Sequence, residues 1–203
     1  MDNKAMYKIG YGLYVLSARV NGADNACIIN TAIQVTSAPN RISVTVNKQN
    51  KTHDMIVDSG KFNISMLSES ADFAVFERFG FQSGANADKL ADYSNVARSE
   101  NGIIYLPQST TAFLSATVFS AVDLGTHTMF IANVTDGALT SDANSLTYDY
   151  YQKNIKPKPA KPVSSGKPVY RCRICGYVHE GELPPDFVCP VCKHGVSDFE
   201  KIS

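Results

Sequence analysis

The chain has 203 residues, which is enough for one domain with a sizeable core and a small second domain. Its 19 basic and 19 acidic residues cancel, so the overall charge gives no indication of a nucleic-acid or membrane partner. The apolar runs are short and interrupted by polar residues, and none approaches the length of a membrane-spanning helix.

Residues 1–151 are predicted to form mainly β-strands. The segments rich in β-branched and aromatic residues, as strands usually are, cover residues 12–18, 26–36, 42–47, 62–67, 112–119 and 127–136. Turn-forming pairs separate several of them, namely Asn21-Gly22, Pro39-Asn40 and Ser59-Gly60. Many strands at short spacing with few helices indicate an all-β barrel.

Two short helices fit between these strands. Thr52 and the two residues after it are predicted to cap a helix that runs through Val57. Ser70 is predicted to cap a second helix that ends at Gly80, with an apolar face made by Phe73, Val75, Phe76 and Phe79.

The polar stretch over residues 30–53 is a candidate binding surface. It places small donors and acceptors beside a strand, and then lysines and hydroxyls at a strand end that leads into a helix. A helix N-terminus with such side chains favours phosphate. A polar edge strand with no ligand would look the same, and spacing alone leaves both readings open.

No familiar nucleotide or hydrolase motif occurs in residues 1–151. The chain lacks Gly-x-Gly-x-x-Gly, the P-loop pattern and Gly-x-Ser-x-Gly. One cysteine and two histidines are too few to build a metal site in this part. If this part does chemistry, an organic cofactor is the better hypothesis.

Residues 152–168 are predicted to be a linker. They contain five lysines, four prolines and no acidic residue. Such a segment has too few apolar side chains to build a core, and its prolines interrupt both helix and sheet.

Four of the five cysteines form two pairs in residues 169–203. Cys172-x-x-Cys175 and Cys189-x-x-Cys192 each make a tight turn that directs two sulfurs to one metal ion, and two such turns complete a tetrahedral site. The N-terminus lacks a secretory pattern, so we expect a cytoplasmic protein, where clustered cysteines bind metal more often than they form disulfides. An all-thiolate site favours zinc or iron, and spacing alone does not decide between them. His179 and His194 are expected to face solvent, because four thiolates already complete the shell.

The neighbours of these cysteines resemble a known family. The matching residues are Tyr170, Cys-Gly-Tyr at 175–177, Pro184-Pro185, Cys-Pro at 189–190 and Asp198-Phe199. Residues 169–202 are thereby similar to the short-spaced rubredoxin domains, which implies one iron ion bound by Cys172, Cys175, Cys189 and Cys192. The chain has Lys193-His194 where the family usually has glycine.

The order of short motifs along residues 1–151 is similar to that of the flavin reductase-like split barrels, which bind FMN. The matching motifs are Tyr11 to Val15, Asn30 to Pro39, Asn47 to Thr52, Ser59 to Phe62, Phe81 to Gly84, Asp88-Lys89 and Gly125 to Thr128. The resemblance implies a mainly β chain, with an FMN-binding split β-barrel followed by a small C-terminal rubredoxin-like iron domain. Family members usually form homodimers with FMN near the subunit interface, so we expect a homodimer.

The same resemblance implies where FMN binds. Residues expected to line the isoalloxazine ring are Asn30, Thr31, Ala32 and Ile33. Those expected to hold the ribityl phosphate are Asn47, Lys48, Lys51, Thr52 and His53. Those expected to approach from a neighbouring loop are Phe81, Ser83 and Gly84.

Two further residues have alternative roles. His127 either meets the flavin or nicotinamide or is a strand histidine with backbone partners, and the family's usual aspartate before it is replaced by Thr126. Cys27 is most simply a small core residue.

The whole chain resembles the fusions called high-molecular-weight rubredoxins, or NAD(P)H:rubredoxin oxidoreductases. That resemblance implies electron transfer from NAD(P)H to FMN, then to the iron site, and on to a redox partner such as a flavodiiron oxygen or nitric oxide reductase. One alternative is a non-enzymatic relay reduced by a separate reductase. Another is a flavin reductase with a structural zinc ribbon. No catalytic acid or base is assigned, because hydride transfer to a flavin needs only positioning.

Overall fold

The structure, a computed structural model of the chain, describes residues 2, 5, 8–157, 167–173, 176–189 and 194–202. Within these ranges, no helix combines the length and the apolar character required to span a membrane.

The N-terminal domain is built mainly from antiparallel strands. They are β1 (Tyr14–Val20), β2 (Ala23–Ile29), β3 (Ile33–Ser37), β4 (Asn40–Asn47), β5 (Lys61–Leu67), β6 (Ala97–Arg98), β7 (Ile104–Tyr105), β8 (Thr110–Asp123) and β9 (His127–Leu139). Seven of them form one sheet in the order β2-β1-β5-β8-β9-β4-β3, and β6 pairs with β7. The predicted mainly β fold is confirmed.

The predicted strand over residues 26–36 is two strands. β2 ends at Ile29 and β3 begins at Ile33, so residues 30–32 turn the chain between them. The Thr31 hydroxyl fixes this turn, because Oγ1 donates to the Thr45 carbonyl oxygen at 2.7 Å and accepts from the Thr45 N–H at 3.2 Å. β-branched residues lie on both sides of the turn, and Thr31 lies within it, which is why the pattern gave one element.

Two helices connect strands, as predicted, but their N-terminal caps differ. Helix α1 (Lys51–Ser59) has Asn50 at its N-cap, so the prediction of a cap at Thr52 is wrong, and Thr52 is buried inside the first turn. Helix α2 (Phe73–Gly80) is capped by Asp72, whose Oδ1 accepts from the Ala74 N–H at 2.8 Å. The predicted cap at Ser70 is also wrong, since its hydroxyl lies 2.8 Å from that of Ser68.

The sheet and the helices enclose two apolar clusters. The first lies between the sheet and α1 and includes Leu16, Val44, Ile56 and Phe130. Cys27 belongs to it and is 3% exposed, in agreement with its prediction as a core residue. The second cluster lies under α2, whose predicted apolar residues are buried except for the partly exposed Phe73.

The chain leaves the N-terminal domain in a helical segment. Helix α3 (Tyr148–Tyr150) continues as a π-helical turn over Tyr151–Ile155, so the first four residues of the predicted linker are helical. The Tyr151 ring is 6% exposed and lies 4.4 Å from the Phe76 ring of α2, centroid to centroid. Residues 158–166, in the middle of the predicted linker, lie outside the described residues.

The tail is a small antiparallel sheet. Its strands are β10 (Val169–Cys172), β11 (Val178–Glu180) and β12 (Phe199–Lys201), in the order β11-β10-β12. The Phe187 ring packs between those of His179 and Phe199, at 4.5 and 5.5 Å. Cys172, at the end of β10, and Cys189 lie together in one apolar cluster of this tail.

Candidate functional site

Two of the four predicted metal ligands form a buried pair. Cys172 at the end of β10 is 1% exposed and Cys189 is 0% exposed, and both belong to one cluster with Tyr177 and Phe199. Each lies in a turn closed by the backbone, because the Gly176 N–H donates to the Cys172 carbonyl oxygen and the Cys189 N–H donates to that of His194. Cys175 and Cys192 lie outside the described residues.

This arrangement fits a thiolate-bound metal ion. Two cysteines from separate turns meet in an apolar interior, where only soft metals such as zinc or iron would bind them. The two histidines that were expected to face solvent are both half-buried. His179 Nε2 lies 3.3 Å from the Glu182 carbonyl oxygen, and the backbone oxygen of His194 accepts the bond from Cys189.

The predicted ring-binding residues 30–33 divide between two cavities. Asn30 is half-buried and lines a largely apolar cavity of about 1000 Å³ with Tyr11, Thr147 and Gln152 among its walls. Ala32 and Ile33 line a separate cavity of about 260 Å³. The Thr31 hydroxyl is occupied by the Thr45 backbone, which leaves Asn30 as the residue of this turn that lines the large cavity.

The predicted phosphate residues at the end of β4 are engaged with the protein. Asn47 Oδ1 accepts from the Gln49 N–H at 2.9 Å. The Lys48 ammonium lies 2.7 Å from Asp123 Oδ1 at the end of β8, and this contact lowers the pKa of the Asp123 carboxyl. His127 faces Asn47 across β4 and β9, and its Nδ1 lies 2.8 Å from Thr126 Oγ1.

The first turn of α1 presents one exposed cation and two buried side chains. Lys51 is exposed, whereas Thr52 is 0% and His53 is 7% exposed. Both His53 ring nitrogens have protein partners, with Nδ1 at 2.8 Å from Asp54 Oδ1 and Nε2 at 2.9 Å from Thr128 Oγ1. The side chains of Thr52 and His53 therefore hold α1 against the sheet, and Lys51 extends towards solvent.

The loop after α2 meets Lys51 in one cavity. Gly84 and Lys51 both line a cavity of about 590 Å³ next to the β1–β2 turn. Ser83 shapes the loop, because its carbonyl oxygen accepts from the N–H groups of Asn86 and Ala87 at 3.1 Å. Phe81 lies outside this cavity and packs against the tail.

Two residues in this cavity were not among the predicted site residues. Asn25 is 4% exposed, and within the described part of the chain its Nδ2 has no hydrogen-bond partner. Lys89 is also 4% exposed, and its ammonium donates to the carbonyl oxygens of Ala26 at 3.0 Å and Phe79 at 3.3 Å. Burial lowers the pKa of Lys89, and burial raises that of its neighbour Cys27. The Asp88-Lys89 motif pointed to Lys89, whereas no sequence signal pointed to Asn25.

This cavity fits an anionic group such as a phosphate. The Asn25 amide donor, the exposed Lys51 and the N-terminal end of α1 favour negative charge. Two carboxylates also line the cavity, but Asp24 is paired with Arg19 and Arg98, and Asp88 Oδ1 accepts from two backbone N–H groups. Of the twelve predicted flavin residues, the structure brings Lys51 and Gly84 together here. Asn30 lies in the large apolar cavity, which suits a planar ring.

Comparison with known proteins relates both parts of the chain to described families. Residues 6–158 match the model of the flavin reductase like domain, and residues 170–200 match that of the rubrerythrin, rubredoxin-like domain. The two matches leave residues 159–169 between them.

Individual proteins show the same division. A high molecular weight rubredoxin of Moorella thermoacetica is 36% identical over 230 aligned positions, which cover all of both chains. A ferric-chelate reductase (NAD(P)H) of Archaeoglobus fulgidus is 36% identical over 79% of this chain and 96% of its own. The solved structure of the styrene monooxygenase flavin reductase of Pseudomonas putida S12 superimposes with a TM-score of 0.57 at 26% identity, covering 71% of this chain and 89% of its own.

Proposed function

We propose a function from the premise that this chain belongs to the flavin reductase-like family and carries a C-terminal rubredoxin-like domain. The chain is an NAD(P)H-dependent flavin oxidoreductase that transfers electrons through its tail to a redox partner. The observation that carries this proposal is the presence, in one chain, of a flavin reductase-like domain and a buried cysteine pair of rubredoxin type.

The flavin is proposed to be FMN, held by the N-terminal domain. Its phosphate would bind in the cavity lined by Lys51, Gly84, Asn25 and Lys89, and its ring would lie towards Asn30. The remaining predicted contacts stay predictions. These are Thr31, Ala32, Ile33, Asn47, Lys48, Thr52, His53, Phe81 and Ser83.

The metal is proposed to be iron, bound by Cys172, Cys175, Cys189 and Cys192. When bound, the flavin accepts two electrons from NAD(P)H, and the iron passes electrons on one at a time. The residues of this chain supply the apolar surroundings of the metal and the positions of both groups. No side chain is needed as an acid or base for this chemistry.

The acceptor is proposed to be a soluble redox protein, of which a flavodiiron oxygen or nitric oxide reductase is the expected case, in the cytoplasm. A homodimer is also proposed. Support for it comes from apolar side chains on the edge strand β3 and on β8, where Ile33 is 64%, Val35 45% and Phe119 56% exposed. Ile33 and Val35 lie two residues apart on this edge strand, and a second copy packed against it would bury both.

Anaerobic rapid mixing with NADH tests the proposed activity. The purified protein with its cofactors should lose its flavin absorption first and its ferric thiolate absorption afterwards. A matched Cys172→Ser variant should keep the first phase and lack the second, because it loses a metal ligand but no flavin contact.

Metal and flavin analysis of the same material distinguishes the proposal from a structural zinc ribbon and from a relay that a separate reductase reduces. Zinc in the tail, or a flavin that NADH does not bleach, would contradict the proposal. In the second case a separate reductase would be needed, and the chain would act only as a relay.

A further inference from the structure

An aromatic residue of the N-terminal domain contacts the buried cysteines of the tail. Phe81 follows α2 directly, is half-buried, and packs against the cluster of Cys172 and Cys189. Its ring lies 5.9 Å from that of Phe73 at the start of α2, so the helix supports it from behind. Phe81 therefore places an apolar side chain of the N-terminal domain, on a supported loop, against Cys172 and Cys189.

The residues next to Phe81 also lie close to the strand that leads to the predicted site of the flavin ring. Gly80, next to Phe81, lies so close to β2 that a Cβ atom there would be 3.3 Å from Ile28 Cγ1. Asn30 follows the end of that strand. Gln152 provides a second link, because it lines both the large cavity that contains Asn30 and a smaller cavity that contains Cys172. Phe81 and Gln152 thus lie between the two predicted cofactor sites.

Positive charge gathers where the helical segment after β9 meets the tail. The smaller cavity has a volume of about 380 Å³ and is lined by Gln152, Lys156, Pro157, Arg171, Cys172, Arg173, Gly176 and Glu200. Three cations share it with one carboxylate, and Glu200 is already paired with Arg171. Like charges at such a seam oppose close approach. The apolar contact of Phe81 with the tail opposes this repulsion, so the two domains can associate and separate readily.

We propose that the surface formed by Phe81, Gln152 and Lys156 is a docking surface for the chain's own tail, and that Phe81 is the positioning residue that holds Cys172 and Cys189 beside the flavin site. This inference rests on the proposed function, because docking serves electron transfer only if both sites are loaded. A fixed arrangement of the two centres removes the cost of orienting them at each step. The repulsion at Lys156 then allows the tail to leave for its partner.

Hydrogen–deuterium exchange of the full-length protein, with its cofactors bound and without NAD(P)H, tests the docking. In Phe81→Ala, the tail peptides that contain residues 167–173 and 176–182 should exchange about fivefold faster, because the apolar contact is lost. Phe81→Leu should stay within about twofold of the wild type, since leucine keeps an apolar side chain there. Lys156→Glu should slow the same peptides by about twofold, because it replaces one of the clustered cations by an anion.

A matched control separates docking from general loosening. Phe119→Ala removes another half-exposed ring, on β8, and should leave the tail peptides unchanged. Unchanged tail exchange in Phe81→Ala overturns the proposal, even if the loop over residues 81–91 loosens. An equal rise in Phe119→Ala, or a rise in Lys156→Glu, also overturns it. Because no electron donor is used, docking can be confirmed even where NADH fails to reduce the flavin.

Discussion

Gly84 has the narrowest steric requirement among the predicted flavin residues. A Cβ atom at this position would lie 2.3 Å from Asn25 Nδ2 and 2.6 Å from Asn25 Oδ1, far inside contact distance. Gly84→Ala should therefore displace the loop and weaken flavin binding about tenfold, which corresponds to about 1.4 kcal/mol. A fluorescence titration of flavin into the apoprotein measures this. Gly195→Ala is the control, because nothing lies within 4 Å of a Cβ atom there, and an unchanged affinity in Gly84→Ala would contradict the prediction.

Other predicted flavin residues show why ligand contacts cannot be predicted from residue type alone. Thr31 and His53 were chosen because they carry donors and acceptors, yet the fold uses the Thr31 hydroxyl to bind Thr45 and the His53 ring to bind Asp54 and Thr128. Thr45 and Thr128 lie on other strands, so the sequence alone could not reveal that the Thr31 hydroxyl and His53 Nε2 are occupied. Asn25 is the opposite case, since its only signal is a burial that depends on the loop around Gly84.

Among the elements, the helical segment after β9 was not predicted, because the composition of residues 152–155 indicated a linker. Residues 152–155 resemble a linker because lysine and proline dominate residues 156–168 directly after them, but Tyr151 and Ile155 pack against the cluster under α2. The seven strands of the main sheet, in contrast, coincide with predicted segments, although β2 and β3 were predicted as one, because β-branched and aromatic residues mark them locally. The two-residue strands β6 and β7 were not predicted. A short segment that is helical only through tertiary contact carries no such local signal.

The contact of this segment with α2 predicts a cost for removing Tyr151. Tyr151→Ala deletes a buried ring that lies against Phe76, so the free energy of unfolding should fall by about 3 kcal/mol. Tyr148→Ala, at a ring that is 39% exposed, should cost less than about 1 kcal/mol. Urea unfolding followed by circular dichroism compares the two. Equal losses would mean that the segment is not anchored by Tyr151.

At the scale of the whole molecule, the two families were foreseeable and their contact was not. Motif order identified the flavin reductase-like domain, and cysteine spacing identified the rubredoxin-like domain, as the comparisons confirm. The contact of Phe81 with Cys172 and Cys189 joins residues that no motif links. The sequence of residues 152–168 instead suggested a tail held only by its tether. The contact at Phe81 suggests, in addition, a surface on the N-terminal domain where the tail can dock.

The tether itself can be tested by cutting it. A protease site introduced within residues 158–166 allows one preparation to be compared before and after cleavage. A covalent connection of this length gives an effective concentration of the order of millimolar, so at about 1 μM protein the cut tail should accept electrons at least about 100-fold more slowly. Rapid mixing with NADH, followed through the ferric thiolate absorption, measures this rate. In the uncut chain the rate should not depend on protein concentration, whereas in the cut chain it should rise in proportion. If the cut chain kept the uncut rate at every concentration, the docking surface alone would hold the tail and the covalent connection would be unnecessary for transfer.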